Sequence, residues 1–100
     1  MSAFARLNGE ALSPGALDAK TKQLIALGIG IAARCDGCIA YHVHDAVRAG
    51  ASRQEILETI GVSVMMGGGP AVIYGCQALE ALDQFASSGL AGTSSEAQEL

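Results

Sequence analysis

Residues 59–79 run for 21 positions without a formal charge, and Gly67-Gly68-Gly69-Pro70 interrupts them near the centre. That length would cross a bilayer as one helix. The content argues against it: five glycines, Pro70, Thr59, Ser63 and Gln77 dilute the run, and three glycines before a proline break a helix. The segment therefore reads as two apolar helices joined by a tight break, and such a pair needs other helices to cover it.

The rest of the chain supplies them. Half the residues are hydrophobic but only 4% are aromatic, so the apolar surface comes from Ala, Leu, Ile, Val and Met, which favours packed helices over a sandwich. Ser13-Pro14 reads as an N-cap with proline at the first helical position, and Asp18 can cap the longer segment after it. Leu24, Ile25, Leu27, Ile29 and Ile31 then make a helix that is apolar nearly all round and is expected to be buried on most sides. A second helix starts near Cys35 and stops at Gly50, and Ser52-Arg53-Gln54-Glu55 is a capping box for a third that presents Ile56, Leu57, Ile60 and Val64. After Pro70 a fourth shows Val72, Ile73, Cys76, Leu79, Leu82 and Phe85 on one face. No repeat and no strand signal emerges.

One hundred residues support a single core, here assigned to residues 13–88. The first twelve residues have no periodic pattern and are expected to form an arm on the body or on a neighbour. The small, polar residues 89–100 are expected to be a flexible tail. Four such apolar helices exceed what one monomer can hide, which predicts a homo-oligomer.

Six basic against ten acidic residues, with no Lys or Arg in residues 54–100, argue against a nucleic-acid partner. Three cysteines are too few for a disulfide-stapled secreted scaffold, and MSAFARLNGEALSPG holds no apolar run of signal-peptide length. The expectation is a cytoplasmic protein with reduced thiols and no membrane span.

Cys35-Asp36-Gly37-Cys38 is a CxxC at a helix start, with His42 four residues beyond Cys38. At about 100° per residue the two cysteines and His42 fall within a roughly 60° sector, while His44 faces the other way. A thiolate in a first helical turn is stabilised by free amides and the helix dipole. A second sulfur three residues away can resolve a mixed disulfide or a sulfenic acid on the first, and His42 can move the proton. The same three side chains are a partial zinc set, with Cys76 a conceivable fourth ligand, so a zinc-binding or structural oligomer is the alternative. No second ligand pair exists, and Cys76 is expected to pack as a small apolar side chain. Met65-Met66-Gly-Gly-Gly-Pro reads either as a tight turn at a subunit contact or as an apolar approach to the sulfurs.

The stretch TKQLIALGIGIAARCDGCIAYHVHDAVRAGASRQEILETIGVSVMMGGGP resembles the carboxymuconolactone decarboxylase and alkylhydroperoxidase D superfamily. The most specific parts are CxxC, three residues, His, then the Ala-Gly turn and the capping box. The resemblance implies an all-α, alkylhydroperoxidase D-like helical bundle that assembles as a trimer or hexamer. It implies thiol peroxidase (peroxiredoxin-like) or disulfide reductase activity without a bound cofactor, since decarboxylases of the superfamily lack the cysteine pair. A lipoylated or thioredoxin-like protein would be the dithiol donor. By the same resemblance Cys38 meets the substrate, Cys35 resolves and His42 ends a proton relay, although the dipole argument does not favour Cys38 over Cys35. Two positions depart from the family pattern: Gln23 stands where the relay begins with a glutamate, and Gly37 where the alkylhydroperoxidase D type has a histidine. Glutamine can orient a water but takes no proton at neutral pH, so plain thiol–disulfide exchange is less affected than peroxide reduction.

Overall fold

A computed structural model describes residues 2–87, and every described element is a helix: α1 (Ala3–Leu12), α2 (Ala19–Ala32), α3 (Asp36–Arg48), α4 (Arg53–Gly67) and α5 (Gly69–Ser87). Helices α2 to α5 form the bundle. α2 packs on α3 and α4, α5 packs on the same two and also touches α2, and α1 rests on α2. Leu27 and Ile31 of α2, Ile39 and Val43 of α3, Ile56 of α4, and Ala71, Ala78 and Leu82 of α5 meet in the core.

Local chemistry places most boundaries. Asp18 accepts the Thr21 amide at 2.8 Å and starts α2. Both halves of the capping box form at α4, with Glu55 N–H donating to Ser52 Oγ and Ser52 N–H to Glu55 Oε1. α3 ends at Gly50, whose φ of +102° suits a residue without a Cβ. The break before Pro70 is a single residue, Gly68 at φ +77°, so α4 and α5 follow one another almost directly.

Four expectations are corrected. The first dozen residues are not patternless: Ser2 Oγ accepts the Ala5 amide and α1 forms as an amphipathic helix, with none of its residues buried. Ser13-Pro14 starts no helical turn, because the residue before a proline favours extended backbone; Ser13 takes ψ 154° and closes α1 instead. α2 is buried on one side only in the single chain, since Ile25 is exposed and Ile29 is 64% exposed. On α5 the inward face is Ala71, Gly75, Ala78, Ala81 and Leu82, so Val72, Ile73 and Cys76 lie outside. Residues 89–100, expected to be a tail, lie outside the described residues.

Candidate active site

The chain turns sharply between α2 and α3. Arg34 adopts φ +60°, a left-handed conformation uncommon outside glycine, asparagine and aspartate. Its amide donates to Ile31 O at 3.1 Å and the Cys35 amide to Gly30 O at 3.0 Å, which folds the start of α3 back against the end of α2. Cys35 is then the N-cap residue of α3, in extended backbone, and Cys38 is the third residue of the helix. Their sulfurs are joined in a disulfide, with the Cα atoms 5.2 Å apart, within the ordinary range for such bridges. Gly30 makes the approach possible: a Cβ there would come within 3.1 Å of the Cys38 Cβ.

His42, one turn beyond Cys38, reaches across to α2. Its Nδ1 lies 2.7 Å from Gln23 Oε1. An amide oxygen only accepts, so Nδ1 carries the proton and Nε2 keeps its lone pair for a proton from elsewhere. Gln23 is buried and His42 half-buried. Burial pushes the His42 pKa below its ordinary value, against the smaller opposing pull of the Asp45 carboxylate. The neutral glutamine thus supports a neutral imidazole, whereas a carboxylate would favour a charged one. The exposed Tyr41 ring stands edge-on to His42, with centroids 5.0 Å apart.

Two pairs thus lie along the α2–α3 contact: Cys35 with Cys38 at the start of α3, and His42 with Gln23 farther along it. His44 is elsewhere: its Nδ1 lies 3.0 Å from Asp45 Oδ1, and its ring packs edge-on against Phe85 of α5. Cys76, expected to pack inside, is a free, exposed cysteine on α5. Among the described residues no group of three or more His, Cys, Asp or Glu is placed to hold a metal ion, so the zinc alternative finds no ligand set. Met66 lines a groove of about 510 Å³ between α2 and α4, together with Ile25, Gly28, Ile29 and Val62, and neither Cys35, Cys38 nor His42 borders it.

Sequence reasoning missed Gly30 and Tyr41. A glycine inside an apolar helix pattern signals close backbone approach, and Gly30 carried that signal. Tyr41 carried none, because nothing in its spacing distinguishes it from an ordinary half-exposed aromatic.

Comparisons with known proteins agree on the group to which these residues belong. A model of the carboxymuconolactone decarboxylase family matches residues 1–81. An uncharacterized protein of Cupriavidus necator is 36% identical over 83 residues, which are 83% of this chain and 74% of that protein. A carboxymuconolactone decarboxylase family protein from Legionella pneumophila superposes with a TM-score of 0.79 at 48% identity, over 82% of this chain and 73% of that one. A Thermotoga maritima protein described as of the same family, for which a part in an antioxidative response has been suggested, gives 0.83 at 34% identity, over 89% of this chain and 76% of that one.

Proposed function

This chain belongs to the carboxymuconolactone decarboxylase family, and from that premise we propose that it is a thiol oxidoreductase, reducing a hydroperoxide or a disulfide and restored by an external dithiol. The observation that carries this reading is the Cys35–Cys38 bridge at the first turn of α3, on the helix that one turn later carries His42, held through Nδ1 by Gln23. The suggested antioxidative role of the Thermotoga maritima relative points the same way.

The chemistry balances without a bound cofactor. A thiolate attacks one oxygen of ROOH, the O–O bond breaks, and the products are a sulfenic acid and, after protonation, ROH. The second thiol attacks that sulfur, water leaves, and the pair is left as the disulfide. A disulfide substrate is reduced in the same two steps, with a mixed disulfide in place of the sulfenic acid. The donor dithiol then returns two electrons and two protons to the pair. A lipoylated or thioredoxin-like protein in the cytoplasm fits that role, and a trimer or hexamer fits the apolar surface left outside the bundle. Gln23 orients His42 directly, so it belongs with Cys35, Cys38 and His42 in the working group.

The test is peroxide consumption, and reduction of a small disulfide, by the purified protein with alternative dithiol donors. Turnover should depend on the donor and vanish in Cys35→Ser and in Cys38→Ser. A folded protein that transfers electrons to neither substrate with any donor would overturn the reading.

A further inference from the structure

Among the described helices α1 alone has no buried residue. Ten residues that include Asn8 and Gly9 make a marginal helix in water, so α1 depends on packing for its order. At about 100° per residue its side chains fall into three sectors. Ala5, Asn8 and Leu12 are half-buried and turn toward their own chain, where α1 touches α2, while Arg6 and Glu10 lie on the opposite side. Next to the half-buried sector runs a third, Phe4, Leu7 and Ala11, which is exposed throughout, Phe4 by 74% and Leu7 by 61%. The apolar arc of α1 is therefore wider than its own chain covers.

The groove between α2 and α4 is complementary to that open sector. Ile25 and Ile29 of α2 and Val62 and Met66 of α4 are exposed along its two sides. Gly28 and the buried Ser63 lie between them, where a Cβ on Gly28 would come within 3.3 Å of Ser63 Oγ. The groove follows α2 from Thr21 to Ala32, roughly 16 Å, and a helix of the length of α1 is roughly 15 Å long. No charged residue borders it, which suits the uncharged face of an amphipathic helix. The α1 of the same chain does not enter: none of its residues borders the groove. Its link to α2 is held down, with Lys22 Nζ donating to Ser13 O at 2.8 Å and Gly15 N–H to Leu17 O at 2.9 Å.

We infer that the Phe4, Leu7 and Ala11 face of α1 from one copy docks into the α2–α4 groove of a second copy. Each chain carries an unpartnered apolar helix face and an apolar groove of matching length, and it does not join the two within itself. In the assembly α1 lies between two bodies. Ala5, Asn8 and Leu12 rest on its own chain, Phe4, Leu7 and Ala11 enter the neighbour's groove, and Arg6 and Glu10 stay in water. Two different surfaces meet at this contact, so it closes either as a reciprocal pair or as a ring.

Sedimentation of the full chain at micromolar concentration tests the contact with substitutions outside the core. Leu7→Glu places a charge on the α1 face and Ile29→Lys places one on the groove wall, and each alone should weaken association by at least about tenfold. Mixed in equal amounts, the two variants should associate more tightly than either alone. The unaltered α1 of one then meets the unaltered groove of the other, and opposite charges meet in the remaining contact. Phe4→Glu should behave as Leu7→Glu does, whereas Arg6→Ala, on the solvent side of α1, should leave association within about twofold. An assembly that survives both Leu7→Glu and Phe4→Glu would overturn the inference, in favour of groove-to-groove pairing or another occupant. Absence of recovery in the mixture, an equal loss in Arg6→Ala, or a monomeric unsubstituted protein would overturn it as well.

Discussion

His42 and His44 differ by two positions in sequence and by a helix face in space. His42 meets Gln23 of α2, while His44 packs on Phe85. His42→Ala should therefore lower both peroxide reduction and disulfide exchange, and His44→Ala should leave both nearly unchanged in steady-state assays. Equal losses would mean that the cysteine–histidine face is not the active site. Gln23→Glu replaces the neutral acceptor with a carboxylate, which makes Nε2 more basic; peroxide turnover at pH 7 should rise by about tenfold, within the range of general-base assistance. The same residues set a pH dependence. Burial holds the His42 pKa below its ordinary value in the folded chain, so on acidification the unfolded chain takes up the proton first. The contribution to stability is complete above the unfolded value of about 6.5 and is lost as pH falls through it toward the lower folded value. Urea midpoints should decline between pH 7 and pH 5, and the decline should flatten in Gln23→Glu, where the carboxylate favours the imidazolium. A midpoint that rises on acidification would contradict this sign.

Among the elements, α5 shows how helical spacing can be right while the face is wrong. Val72, Ile73 and Cys76 recur at helical spacing, and so do Ala71, Gly75, Ala78 and Leu82 one step away. The small residues win the inside because α5 sits close to α4: a Cβ at position 75 would come within 2.8 Å of Ile60 Cγ2. Gly75→Ala should thus cost about 1–3 kcal/mol by overpacking, despite alanine's better helix propensity. Chemical denaturation measures the cost, and an unchanged or higher midpoint would show that the α4–α5 contact yields easily. Caps were legible because they are local. Asp18, Ser52 with Glu55, and Gly50 each work through neighbours within a few residues. α1 was not legible because Asn8 and Gly9 weaken its propensity and its apolar residues, Phe4 and Leu7, find no core to reveal their face.

At the scale of the whole molecule, most exposed large apolar side chains among the described residues fall on the bundle helices α2, α4 and α5, with Phe4 and Leu7 of α1, Leu17, and Tyr41 of α3 besides. Ile29 and Ile73 are each more than three-fifths exposed, and Met65 and Met66 about seven-tenths. A monomer seldom leaves such a surface to water. We expect the protein to sediment as a trimer or larger at micromolar concentration; a monomer there would be the contrary result. Ile29→Glu, which puts a charge into the α2–α4 groove wall without touching Leu27 or Ile31, should shift the species toward monomer. No described helix is long and apolar enough to cross a membrane, as the glycine break at residues 67–69 led one to expect.

What the sequence determined by itself was everything decided within a turn or two of helix: the all-helical class, the break before Pro70, three of the caps, and a cysteine pair placed with His42 along one helix. These depend on backbone amides, glycine conformations and side chains a few residues apart, so their spacing is enough to read them. Tertiary structure alone decided what depends on another element's position. It set Gln23 Oε1 against His42 and so chose the imidazole tautomer, and it pressed Gly30 of α2 against Cys38. It also turned the small residues of α5 inward and left Cys76 outside. Each of these outcomes is a contest between surfaces for closest approach, and such a contest is settled only when the helices have packed.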